Sequence, residues 1–401
     1  MSEYCPWVKV DYRVHALTPA VGVWAFSPSE RYFAWVEGPD QRAVHVTELP
    51  SLRTVCELRG QDFLALSWCD EETLRVVRGE RDKIVASRHA VPDGGGLGAV
   101  TVPRDGLTTS VQASADGRVV LIRATTLARA GDAPRAFLVG AAGDDDVTTV
   151  TLAHPHVEVP RHARVTSIDC TLSPDGRVVA ALHQHSRSLW NASLWFAAPH
   201  APPSTPTPFT SGNARVLGWV SPSRVLLSGE AAEGDELAAM LVERDGFFHC
   251  APALATGSPL AGSFDLHPQR DRFLLGARRV RGGRYQTLAL CARVGDTRAE
   301  AITLSDGRAV GDGGLFDGGA CWGRDGAIVT FTQSPPGVAN LTRRESMRGP
   351  GHRLAHFKLI GERPVDLALT ASPHRERFLM TWRSFDRGPA DPVRRLALYA
   401  P

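Results

Sequence analysis

Hydrophobic and polar positions between Arg164 and Ala198 come in blocks that read as one unit of antiparallel sheet. An apolar run, Ile168–Leu172, meets the turn sequence Ser173-Pro174-Asp175-Gly176-Arg177. A second run, Val178–Leu182, follows directly, and a third, Ala192–Ala197, comes after a polar connection. Short runs rich in β-branched and apolar residues, bounded by turn residues, predict strands. The turn has a mechanical basis. Pro174 presets φ near about −65°, Asp175 can hydrogen-bond its own backbone, and Gly176 can take the positive φ that closes a hairpin without a Cβ clash.

Seven further copies follow the same grammar. Close copies are centred on Ser27-Pro28-Ser29-Glu30 and Ser114-Ala115-Asp116-Gly117, and a weak one on Cys69-Asp70-Glu71-Glu72. Ser221-Pro222-Ser223 is shortened, and His267-Pro268-Gln269-Arg270 lacks the glycine. The last two lie at Gly323-Arg324-Asp325-Gly326 and Ser372-Pro373-His374-Arg375. Successive turns are spaced by roughly 42 to 59 residues, the range of a four-stranded propeller blade.

The Ser-Pro-Asp-Gly-Arg turn followed by an apolar strand resembles the TolB-type, WD-repeat-like β-propeller superfamily, and the resemblance spans nearly the whole chain. It implies an all-β protein, a propeller of four-stranded antiparallel blades over residues 1–401 as a single domain, with eight blades, or seven if the weak second unit merges with a neighbour. In that family the turn is a structural hairpin and carries no catalysis. The Trp-Asp and Gly-His signatures of the usual WD repeat are missing.

Composition agrees with this class. A chain of 401 residues, 43% hydrophobic with 38 Gly and 28 Pro, suits a large all-β core with many turns. The 45 basic and 43 acidic residues nearly balance, which argues against a dedicated nucleic-acid or membrane-surface protein. Lysine occurs only at Lys9, Lys83 and Lys358, an arginine bias expected of a GC-rich bacterial genome. Met1–Trp7 has no secretion signal pattern, and no apolar run reaches the ~18 residues of a membrane span. The seven cysteines (Cys5, Cys56, Cys69, Cys170, Cys250, Cys291, Cys321) are odd in number and scattered, as reduced cytoplasmic thiols would be.

Trp7–Val14 alternates apolar and polar residues and predicts a half-buried strand, whereas the last unit, Leu367–Tyr399, offers only three strands. The N-terminal strand is therefore expected to complete the last blade and remove exposed sheet edges. Asp93–Gly98, Pro199–Ser211 and Val310–Gly319 read as loops within or between blades.

Candidate chemistry is sparse. Gly319-Ala320-Cys321-Trp322-Gly323 has the outline of a nucleophile elbow, but a strand and not a helix follows it, so Cys321 reads as core. His154, His156 and His162 with Glu158, and His183 with His185, could share a metal, yet read more simply as solvated histidines. Asp144-Asp145-Asp146 reads as a solvated acidic turn. Arg343, Arg344, Arg348 and Arg353 form one arginine group. No catalytic residue, metal or cofactor is expected.

The expected function is a non-enzymatic scaffold or regulatory subunit of a bacterial cytoplasmic assembly, binding another protein encoded nearby, with neither membrane nor nucleic acid as partner. The alternative is a propeller enzyme of hydrolase or lactonase type with a site at the central channel. Such an enzyme needs acidic or histidine residues on several inner strands, where this sequence offers chiefly Asp169 and Asp265. The partner is expected on the face formed by the loops between second and third strands. The residues proposed to bind it are Trp190, Arg278, Arg279, Arg281, Arg284, Arg383, Phe385 and Arg387.

Overall fold

The computed structural model describes residues 14–401 apart from 18–19, 38–41, 105–107, 126–134, 142, 153, 155–166, 185–190, 211, 231–235, 244–247, 257, 282–283, 295–298, 309–317, 334–336, 360–364 and 385–392. The described residues contain no helix, and their strands assemble into eight four-stranded antiparallel sheets. Each sheet is one propeller blade. The chain divides into two compact units, residues 23–36 with 40–253, and residues 1–22 with 37–39 and 254–401. The cuts at 22/23 and 253/254 fall inside strands and not at linkers.

The first unit carries five blades. Their strands, in order, are Ala20–Phe26, Tyr32–Glu37, Ala43–Glu48 and Arg53–Arg59; Phe63–Trp68, Thr73–Gly79, Lys83–Ala90 and Gly96–Pro103; Thr108–Ala113, Val120–Thr125, Arg135–Val139 and Val147–Thr151; Ser167–Leu172, Val179–Gln184, Asn191–Ala197 and Thr207–Thr210; and Gly212–Ser221, Arg224–Glu230, Glu236–Glu243 and Phe248–Thr256. First strands of successive blades from the second to the fifth approach one another, which marks them as the inner strands. Second strands are buried from both sides, as Tyr32–Val36 and Thr73–Val77 are, so they read as continuous apolar runs. The outer strand Gly96–Pro103 is mostly exposed. The core lies between neighbouring blades: Leu121, Leu138 and Val150 of the third meet Val179, Ala181 and Trp195 of the fourth.

The second unit carries three blades. The sixth is built from Ser258–Leu266, Arg272–Arg281, Arg284–Arg293 and Glu300–Arg308, and the seventh from Gly319–Trp322, Ile328–Gln333, Val338–Arg344 and Gly351–Lys358. The eighth has Val365–Ala371, Phe378–Ser384 and Val393–Tyr399, and takes its fourth, outermost strand from the N-terminal region. That strand is Val14–Leu17, antiparallel to the last strand in the register Val14↔Tyr399 to Leu17↔Leu396. The expected completion of the last blade is observed, with the pairing strand set further along than Trp7–Val14. Residues 7–13 lie outside the described set.

All eight repeated turns join a first strand to a second. Gly117, Gly176 and Gly326 take positive φ (73°, 72° and 76°), as the turn chemistry requires. Where glycine is missing the conformation persists: Glu30, Arg270 and Arg375 hold φ of 60°, 58° and 62°. The serine opening the turn has its own role. The buried Oγ of Ser27, Ser114, Ser173 and Ser372 accepts the N–H of Tyr32, Val119, Val178 and Arg377, supplying an acceptor that the hairpin backbone cannot. Two expected loops are partly strand, because outer strands tolerate glycine and polar residues: Gly96–Gly98 belongs to Gly96–Pro103, and Thr207–Thr210 is the outer strand of the fourth blade.

Candidate functional site

The sixth blade places the main arginine group. Arg278, Arg279, Arg281 and Arg284 were expected in a loop but are strand residues, because two ten-residue strands run up to a two-residue connection at 282–283. The register sets Arg281 directly opposite Arg284, and Arg279 opposite Gln286. Ser258, where the inner strand begins, pairs with Arg278, so the hairpin tip extends past that strand. The side chains of these four arginines lie outside the described set.

Arg383 is likewise a strand residue, and its guanidinium is ion-paired with Asp366 of the same blade. Burial, followed by this Arg383 charge, lowers the pKa of Arg394, which stands opposite Arg383 in register. Trp190, Phe385 and Arg387 lie outside the described residues.

The two inner-strand carboxylates are both engaged by arginine. Asp169 of the fourth blade stands 3.5 Å from Arg123 of the third and accepts the Cys170 N–H at 2.9 Å. Asp265 of the sixth blade receives both arms of Arg375 from the eighth, at 2.7 and 2.9 Å, and also the Trp322 N–H of the seventh at 2.7 Å. The same guanidinium donates to the carbonyls of Trp322 and Leu266 at 3.1 and 2.9 Å. A single planar fork thus ties three blades together.

Where the turns of the sixth and seventh blades meet there is a cleft of about 540 Å³, walled by Arg272, Arg293, Trp322, Met347 and Arg348. It sits at the strand ends opposite the 282–283 hairpin, because its walls are first-to-second and third-to-fourth turns. His267 packs against Trp322 of that wall. The ring meets Trp322 edge-on, with centroids 4.7 Å apart, and the Arg272 guanidinium covers the face of Trp322 at 5.2 Å. Gly326 is required beneath it, since a Cβ there would stand 2.5 Å from His267 Nε2.

His267 Nε2 lies 3.0 Å from the Arg272 guanidinium, while Nδ1 accepts the Gln269 N–H at 3.2 Å and lies 3.0 Å from the Asp271 carboxylate. Burial and the Arg272 charge lower its pKa, and Asp271 only partly opposes them. The unfolded chain then binds a proton that the folded chain does not, so stability is full above the ordinary histidine value of about 6.5 and declines as the pH falls below it. His89, lowered by burial, acts in the same direction. The melting temperature is expected to fall between about pH 6.5 and pH 5, and to fall less steeply in His267→Gln. An unchanged slope in the variant excludes His267 as the titrating group.

The remaining candidates are structural. Cys321 is 1% exposed on a strand followed by a turn and another strand, and burial pushes its thiol pKa well up. Burial likewise raises Cys170 and Cys291 to about 11. His154 is buried against Trp195 and bonded to the Ser204 carbonyl, and His183 is buried in a second strand, so neither is the solvated residue expected. His156, Glu158, His162 and His185 lie outside the described set. Asp144 and Asp145 are not freely solvated, since both pair with Arg88 of the neighbouring blade at 2.8 and 2.6 Å. Arg343 pairs with Asp325 and Glu345, Arg344 bonds the Gly349 carbonyl, and Arg348 pairs with Glu300.

No family model and no curated protein matches the sequence. Among solved structures the chain is similar to the Dos1 propeller, with 12% identity and a TM-score of 0.56 over 96% of this chain and 93% of that one. It is also similar to dihydro-heme d1 dehydrogenase NirN in complex with DHE (15% identity, TM-score 0.54, 94% of this chain and 75% of that one). A third is a eukaryotic initiation factor (13% identity, TM-score 0.53, 96% and 90%). Identities this low carry the fold and no activity, and the neighbours include both enzymes and non-enzymes. Recurring serine-opened hairpins, the four-stranded antiparallel blades they begin, and near full-length likeness to solved propellers show that this chain has a β-propeller fold.

Proposed function

We propose that the protein is a non-enzymatic interaction scaffold or regulatory subunit of a bacterial cytoplasmic assembly, and that it binds an acidic segment of a partner protein through the arginine hairpin of the sixth blade. The observation that carries this reading is the register of that hairpin. Arg281 and Arg284 are direct cross-strand neighbours, a like-charge pairing that is unfavourable until an anion is supplied. The engagement of Asp265 and Asp169 by arginine supports the same reading, since a channel-mouth enzyme would need such carboxylates for its chemistry.

The test compares wild-type protein with an Arg279→Glu/Arg281→Glu variant as bait in extract of the native host. One partner is expected to be retained by the wild type and lost by the variant, with the melting temperature unchanged. Identical capture by both, or turnover of a lactone or ester substrate by the purified protein, overturns the reading.

A further inference from the structure

Gly96–Pro103, the outer strand of the second blade, presents an unprotected sheet edge. Sheet edges are normally blunted by charge, proline or shortness, and the other outer strands of this chain show those devices. Exposed charges stand at Arg53, Glu57 and Arg59 in the first blade, at Glu300 in the sixth and at Arg353 and Lys358 in the seventh. Phe248–Thr256 carries Pro252 in its middle, and Val147–Thr151, Thr207–Thr210 and Val14–Leu17 have five, four and four residues. Gly96–Pro103 runs for eight residues with its proline last, and no charged residue occurs from Gly94 to Pro103. Leu97, 50% exposed, is the one exposed large hydrophobic side chain among the described residues.

Register decides which backbone groups of this strand are open. The Arg104 N–H bonds the Asp82 carbonyl, and the ladder continues without a shift from Lys83↔Pro103 to Arg88↔Gly98. Hydrogen-bonded pairs alternate along an antiparallel ladder, so Val102, Val100 and Gly98 turn their N–H and C=O groups inward. Ala99 and Thr101 turn theirs outward, where no strand follows. Leu97, Ala99, Thr101 and Pro103 are exposed, whereas Val100 and Val102, on the other side of the strand, pack with the apolar residues of the third blade.

We propose that this edge pairs with the same edge of a second copy of the chain, antiparallel about a two-fold axis at Val100, joining two second blades into one continuous sheet. In that register Ala99 exchanges both backbone hydrogen bonds with Thr101 of the second copy, and Thr101 does so with its Ala99, which satisfies the outward N–H groups. Leu97 lies across from Pro103 of the second copy, so both exposed apolar side chains are covered twice over. Charge patterning selects a second copy as occupant. This edge meets itself with no charge opposed to a like charge, whereas Arg53–Arg59 paired with itself would set Arg53 against Arg59. A two-fold contact is also closed, so it removes both edges and leaves none to recruit a third chain. One pair of edges buries less than the roughly 800 Å² per partner of a standard interface, so the dimer is weak and forms at about 100 µM protein. The arginine hairpin of the sixth blade takes no part in it.

Sedimentation equilibrium of the full-length protein, from about 1 to 300 µM, tests this and is expected to show monomer passing to dimer and no larger species. Thr101→Pro removes one outward N–H from each copy and no inward one, and is expected to weaken the association about tenfold. Leu97→Lys, at an exposed position, is expected to weaken it as well, with both variants melting as the wild type does. Val100→Cys reports the register. Directly opposed residues at a site without hydrogen bonds have Cα atoms about 4.5 Å apart, within disulfide reach, so mild oxidation should link two copies more readily than in wild type. The proposal is overturned by a protein that stays monomeric over the whole range, by association unaltered in both edge variants, by open-ended assembly, or by Val100→Cys linking no better than wild type. Each of these outcomes is independent of the host-extract experiment, whose variant alters another blade.

Discussion

Arg375→Met is expected to lower the stability of the chain by about 2–4 kcal/mol, the cost of leaving a partly buried carboxylate without its cation. Arg375 and Asp265 are only 22% and 21% exposed in their side chains, and the four bonds of the guanidinium reach two other blades. Arg375→Lys should recover little, because an ammonium cannot serve two carboxylate oxygens and two carbonyls in one plane. Arg375→Gly offers a sharper comparison. It relieves a positive φ of 62°, worth about 1 kcal/mol or more, and still has to come out destabilised if the fork matters more than the strain. Urea unfolding of the single variants and of Arg375→Met/Asp265→Leu should give a coupling energy of roughly 2 kcal/mol, since removing both charges strands neither. Additive losses would show that the two side chains do not act together.

Removal of Met1–Leu17 is expected to cost about 2–4 kcal/mol and several degrees in melting temperature. It strips the outer strand from the eighth blade and leaves Val393–Tyr399 as an open edge. Leu396, Ala397 and Leu398 are 0% exposed and Tyr399 3%, so the strand to be uncovered is part of the core. An unpaired edge of that kind also recruits other chains, so light scattering should report self-association in the truncated protein. Melting within a degree or two of the full chain, with no association, would show that the pairing of Val14–Leu17 contributes nothing.

The blade grammar was legible in the sequence because it is local. Ser173-Pro174-Asp175-Gly176 sets a hairpin through its own φ preferences and its own serine hydroxyl, and the flanking strands announce themselves by runs buried on both sides. All eight turns, and the completion of the last blade by an N-terminal strand, follow from that pattern. Even the glycine-free turns held a readable signal. Arg270 and Arg375 both stand where the repeat calls for positive φ, and it is Arg375 whose guanidinium grips Asp265.

Contacts between blades were decided by tertiary structure alone. Asp265 and Arg375 are 110 residues apart in sequence. Arg88 meets Asp144 and Asp145 only because adjacent blades bring a third strand beside a third-to-fourth turn. His154 looked like a loop histidine and is packed on Trp195. Arg278–Arg284 looked like a loop and is the end of a long hairpin, since strand length depends on what the neighbouring strands continue to pair with. The cleft holding Arg293 exists only where the turns of two blades face each other. Periodicity reports which side of a strand is buried, and carries no information about which distant turn will stand opposite it.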